Sequence, residues 1–312
     1  MLPTILIILV VGSTALQSLS TKLAAKTGQS VSSFNAQKAL SALALFAALA
    51  LGGFVWHGQT VLFGGLYGLL LSLSMQSGYY ALRYGPVSLS SLLASFSLVI
   101  PLLYGFFFLW ETFTAVQGIG LALLALCLIL SRKKGPEKKA VSFRWAVYIT
   151  LTVIANGFCA IIQMAHQNLF QGLYHAEFMV FAMMVSSAIF LSAGCVKKIG
   201  GIMTVPLPVP TSKGSAAGQV IPPQTLETRP LGARLKQGFL YGVAAGALNG
   251  TANYLTLVLI GQVKASVLFP ILSACTILTT FVLGAAFFRE RYSRWQLMGV
   301  MMAVASVVLL RL

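Results

Sequence analysis

Apolar stretches follow one another along almost the whole of this chain, each long enough to cross a bilayer as a helix of about 20 residues. A soluble fold of 312 residues has no core large enough to hide them all. Charged residues make up only 8% of the chain, against about 25% in soluble domains. These features predict an all-α polytopic membrane protein. Ten transmembrane helices are expected, at 2–20, 34–55, 61–82, 87–109, 114–131, 145–168, 176–194, 237–260, 263–287 and 294–311. The N-terminal "MLPTILIILVVGSTALQ" lacks a positive n-region and reads as the first span, not a signal peptide.

Most connections are short, and Arg83-Tyr84-Gly85-Pro86 is a clear breaker between the third and fourth spans. Two are longer, 131–144 and 197–236. The second is rich in Pro, Gly, Ser and Thr and reads as a flexible surface loop.

The net charge of +16 would suggest nucleic acid in a soluble protein. Here the basic residues fall mainly between apolar stretches, so topology explains them and no nucleic-acid partner is expected. In the ten-span scheme every Lys and Arg except Lys264 and Arg311 belongs to one side. Lys38 is counted with that side although it falls within the span 34–55. The positive-inside rule then puts loops 131–144 and 197–236 in the cytoplasm and both termini outside, in a plasma (inner) membrane. The four cysteines, Cys127, Cys159, Cys195 and Cys275, are isolated and lack metal-ligand spacing. No cofactor or metal is expected.

The chain also repeats itself. "GGLYGLLLSLSMQSGYY" (64–80) returns as "GFLYGVAAGALNGTANY" (238–254), so that Gly64, Leu66, Tyr67, Gly68 and Tyr80 match Gly238, Leu240, Tyr241, Gly242 and Tyr254. Further on, Val87, Ser90 and Leu92 match Val263, Ser266 and Leu268. Gly105, Phe108, Glu111, Gln117 and Gly120 match Gly284, Phe287, Glu290, Gln296 and Gly299. Two five-span halves are expected, at 1–142 and 143–312. Five is odd, so the second half enters the membrane in the opposite sense, giving two inverted five-helix repeats.

The stretch "ALRYGPVSLSSLLASFSLVIPLLYGFFFLWETFTAVQGIGLALLALCLIL" (81–130) resembles the repeat of the drug/metabolite transporter superfamily, in its EamA-like branch. The likeness lies in the small-residue turn before the fourth span, the Ser- and Leu-rich fourth span, and a Glu, Gln and Gly pattern leading into the fifth. Trp110-Glu111 stands where Gly-Glu is usual, and Phe288-Arg289-Glu290-Arg291 supplies the second copy. "VVGSTALQSLSTKLA" (10–24) is similar to the family's first span. The resemblance implies two EamA-like repeats and a transporter; it leaves the substrate open. It differs from most ten-span relatives in placing the termini outside and in the length of loop 197–236. Gln17 stands in the first span, where small multidrug relatives carry a carboxylate, which argues against proton-coupled export of bulky cations.

Ionisable residues inside a bilayer are costly and are default functional candidates. The chain has five Glu and no Asp. Glu111 and Glu290 read as interfacial. Glu177 reads as a helix-start carboxylate or a coupling acid, and His166 as a structural or a coupling group. Lys264, Lys22 and Lys38 either snorkel to the surface or face a cavity as cations for a carboxylate or phosphate. The uncharged candidates for substrate binding are Gln17, Gln76, Tyr79, Tyr80, Asn156, Gln163, Asn249, Asn253 and Tyr254. Gly242, Gly246, Asn249 and Asn253 share one helical face.

The expected function is secondary transport of a small organic metabolite, such as an amino acid or a related solute, by alternating access. No nucleotide-binding loop is present. A phosphorylated or lipid-linked anionic substrate is the alternative within transport, and a non-transporting sensor or scaffold the alternative outside it. Without Asp, H-E-x-x-H or G-x-S-x-G, an enzyme is not expected. The sequence carries no signal for oligomeric state.

Overall fold

The computed structural model describes residues 2–25, 27, 29–84, 93–94, 96–110, 114–130, 142–199, 231–288, 298–299, 301–302, 304–306 and 309. These residues are helical with short turns, and none of them forms a strand. The helices are α1 (Leu2–Ala25), α2 (Val31–Ala50), α3 (Gly58–Tyr84), α4 (Val99–Phe108), α5 (Ala115–Leu130), α6 (Phe143–Phe170), α7 (His175–Ile199), α8 (Leu231–Ile260) and α9 (Ala265–Phe288). Five apolar segments among them are long enough to cross a membrane: Leu2–Thr21, Gly58–Ala81, Phe143–Phe170, His175–Ala193 and Lys236–Ile260. Helix α2 has the length, but Asn35, Gln37 and Lys38 make its first half polar.

Local chemistry sets the ends. Ser30 caps α2 by accepting from the Ser33 N–H at 3.2 Å, and Ser142 caps α6 by accepting from the Trp145 N–H at 3.2 Å. Thr114 and Gln117 form a reciprocal capping box at the start of α5. Each side chain accepts from the other residue's backbone N–H at 3.2 Å. Helix α6 stops at Gln171, whose φ of 48° breaks the helix while its N–H still bonds the Gln167 carbonyl at 2.8 Å. Gly172 at φ 95° completes the tight turn into α7.

Several boundaries differ from expectation. Helix α2 ends at Ala50, not 55, because a turn at 51–53 closes with the Gly53 N–H on the Ala50 carbonyl. The fourth span carries a 3-10 turn at Phe96–Leu98 before α4, and Pro101 sits in the first turn of α4, where a missing N–H costs little. Helices α7 and α8 run to Ile199 and from Leu231, into the stretch expected to be loop. Residues 131–141, 200–230, the turn at 85–92, Glu111, Glu290 and most of the last span lie outside the described residues.

Helix α1 packs on α8 and α9, α2 on α7 and α8, α3 on α6 and α7, and α4 on α6 and α9. One core joins Phe46, Tyr67, Phe178, Met179, Met183 and Leu257 from α2, α3, α7 and α8. A second joins Val10 of α1 to Leu259 and Leu268 of α8 and α9. Glycines allow the close crossings. A methyl on Gly68 would collide with the Ala182 carbonyl of α7, and one on Gly246 with the Lys38 backbone of α2. Outward faces are apolar: Leu62, Leu66, Leu69 and Leu73 of α3 are exposed at spacings of four, three and four. The repeated Leu66 and Leu240 both point outward, whereas the repeated Tyr67 is buried.

Candidate functional site

Three helices bring a hydroxyl and two amides together inside the bundle. Tyr67 of α3 donates its hydroxyl hydrogen to Oδ1 of Asn253 on α8 at 3.0 Å. Gln163 of α6 is 96% buried; its Nε2 lies 3.4 Å from the Tyr67 hydroxyl and 3.5 Å from the Asn253 carbonyl. These are long contacts, loose enough to be exchanged for a ligand's acceptor. Asn253 is held from below, its Nδ2 donating to the Asn249 carbonyl at 2.9 Å. Tyr67, which recurs as Tyr241, was not among the candidates for substrate binding and joins this group, with its ring on Phe178 at 5.3 Å.

The Asn249, Gln17 and Gln76 side chains are half-buried and make no hydrogen bond to a described residue. Asn156 does other work. Its Oδ1 accepts from Ser74 Oγ at 2.6 Å, and one turn away Ser77 and Thr152 share a hydrogen bond of 2.9 Å. Asn156 therefore ties α3 to α6.

Tyr79 and Tyr80 meet ring to ring at 5.5 Å, and Tyr80 also packs on Tyr84 and Tyr148. This aromatic group closes the C-terminal end of α3 against the start of α6. Tyr254 packs against Phe46 and, edge-on, His175.

All three histidines lie at the opposite end, where α3 and α7 begin and α6 ends. The His166 ring is fully buried among Phe63, Phe170 and Phe178, at centroid distances of 6.1, 4.8 and 4.6 Å, and neither nitrogen has a partner. His175 Nε2 shares a hydrogen bond with Gln167 Oε1. His57 stacks on Tyr174 at 5.5 Å. Glu177 is buried and accepts the Val55 N–H at 3.2 Å, which pins the turn between α2 and α3. Lys264 is exposed at the turn from α8 to α9, on an open cleft of about 350 Å³ that also includes Met164, Asn168 and Gln262.

Lys38 is the largest departure from the charge reading. It does not lie in a loop or at the surface: it sits in the third turn of α2 and is 93% buried by protein. Its neighbours Asn35 and Gln37 gave the only hint, a polar half in an otherwise apolar helix. Lys22 lies within α1. Among the described residues no three His, Cys, Asp or Glu side chains are grouped as metal ligands.

No family model matches the chain, and no curated protein matches it. A solved structure described only as "Crystal structure of protein" is similar over 98% of this chain and 95% of its own, with a TM-score of 0.71 at 14% identity. At that identity the likeness shows a shared fold.

Proposed function

We propose that this chain is a ten-span secondary transporter of the EamA-like type, built from two inverted five-helix repeats, that moves a small organic metabolite by alternating access. One observation carries the reading. Adding five to a helix number in the first half, and subtracting five in the second, turns the larger helix pairs into one another, while the lesser α6–α8 and α7–α8 contacts have no such mates. The α1–α8 pair becomes α6–α3, α2–α8 becomes α7–α3, and α1–α9 becomes α6–α4. The α2–α7 and α4–α9 pairs map onto themselves. Such exchange is what a pseudo-two-fold axis in the membrane plane requires.

The repeated glycines support the same reading. Gly64 and Gly68 sit at the crossing of α3 with α7, and Gly242 at the crossing of α8 with α2. The Tyr67, Gln163 and Asn253 group then lies between the halves, where a rocking transporter binds its solute. It offers neutral donors and acceptors from both halves. Nothing in the described residues assembles a nucleophile with a base, and the reading contains no chemical step.

The test is counterflow in proteoliposomes holding the purified chain. Preloaded unlabelled metabolite should drive accumulation of the same labelled metabolite, and only for a restricted set of small organic solutes. A correctly folded chain that exchanges no member of a broad metabolite panel would overturn the proposal in favour of a sensor or scaffold.

A further inference from the structure

We propose that Lys38 is an anion subsite and holds the carboxylate of a small solute that carries a single carboxylate. The inference rests on the transport reading for its purpose, but the site itself stands on geometry. Lys38 is covered by protein, not by lipid, since it is only 7% exposed in the isolated chain. Its start-of-helix neighbour Ser30 lies about 12 Å away along the axis, at 1.5 Å per residue. A lysine snorkelling into open solvent would leave more of its side chain accessible than this.

Among the described residues Lys38 makes no ion pair and no side-chain hydrogen bond; only its backbone carbonyl is used, by Ser41 Oγ at 3.1 Å. Glu177 is the one carboxylate among those residues. It is engaged with Val55, past the far end of α2. A buried cation without a partner destabilises a fold, and a bound anion supplies what is missing.

Position and chemistry then choose the ligand. The Lys38 backbone lies against Gly246 of α8. From Gly246, Asn249 and Asn253 continue along one face, at spacings of three and four, to the contact with Tyr67 and Gln163. Seven residues of helix separate the two levels by about 10 Å. A molecule the size of an amino acid, with its carboxylate on Lys38, would be long enough to bring its polar end toward the amide and hydroxyl group. A single compact ammonium matches one carboxylate; phosphate is typically met by guanidinium forks or several cations.

The test is thermal unfolding of the full chain in detergent. The probes are the standard amino acids and short monocarboxylates, each beside its primary amide, together with inorganic phosphate. A subset of carboxylates should raise the midpoint by about 2–4 °C, with no rise from the matching amides. Lys38→Met and Lys38→Gln should abolish that rise, Lys38→Arg should keep part of it, and Lys38→Met without ligand should unfold at or above the wild-type temperature.

Four results overturn the proposal: no carboxylate shifts the wild type, the amides shift it equally, phosphate shifts it more, or the shift survives in Lys38→Met. A lower ligand-free midpoint in both neutral variants also overturns it, by making the ammonium a structural group. Carboxylate binding without counterflow would sink the transport reading and leave the subsite. Counterflow indifferent to Lys38 would do the reverse.

Discussion

The hydroxyl of Tyr67 donates to Oδ1 of Asn253 at 3.0 Å, across 186 positions of sequence. A repeated tyrosine of one half thus holds an amide whose counterpart in the other half, Tyr79, is aromatic. Tyr67→Phe leaves that acceptor and the Gln163 amide without their shared partner. The expected cost is about 0.5–2 kcal/mol, seen as a lower thermal midpoint in detergent. An unchanged midpoint would show that the hydroxyl is dispensable to the fold.

Gly68 and Gly65 are three residues apart on one helix and should respond oppositely to a methyl group. Gly68→Ala drives a Cβ into the Ala182 carbonyl, whereas a Cβ on Gly65 meets nothing within 4 Å. Overpacking should cost the first about 1–3 kcal/mol or more, while the second stays within about 0.5 kcal/mol of the wild type. Thermal unfolding of the two variants side by side measures the difference; equal midpoints would mean that α3 and α7 do not cross this closely.

Glu177 holds the turn before α3 through the Val55 N–H. Glu177→Gln should let the Val55 amide exchange its hydrogen about tenfold faster, because a charge-assisted bond becomes a neutral one. It should leave the pH dependence of counterflow as it is. A changed pH profile would restore Glu177 as a coupling acid.

His166 presents two unpartnered nitrogens to a ring of phenylalanines. His166→Phe removes a buried polar group without emptying its place, and should raise stability by about 1–3 kcal/mol. A loss of stability would mean that the imidazole is satisfied in its place, as by a buried water.

The topology has a direct check. Leu51 is 85% exposed at the turn between α2 and α3. In a cysteine-free background, Leu51→Cys should react with an impermeant thiol reagent in intact cells. Ser212→Cys should react only once the membrane is breached. The opposite pattern would invert the assignment drawn from the basic loops.

Legibility was uneven, for physical reasons. Gln117 stood out because it recurs, yet its local role is a helix cap shared with Thr114; the pattern Thr-x-x-Gln before an apolar run was readable as such. Gln163 and Asn253 were candidates from the start and do meet. Asn156 looked the same in sequence and is spent on Ser74, because an amide's role depends on what the opposite helix presents. Lys38 stood between snorkelling to the surface and facing a cavity, because its charge is visible in sequence and its covering helices are not.

The sequence by itself determined the helical class, the long apolar segments and the small residues at which helices could approach. Those properties are local: about 20 apolar residues suffice to fill a bilayer as a helix, whatever surrounds them. The tertiary structure decided which polar groups share the interior. That depends on how each helix is rotated and which neighbour it crosses, set by close contacts such as Gly68 on Ala182 and Gly246 on Lys38. Packing of this kind joins residues far apart in the chain, and it alone placed Tyr67 beside Asn253 and covered Lys38, which pairs with no described carboxylate.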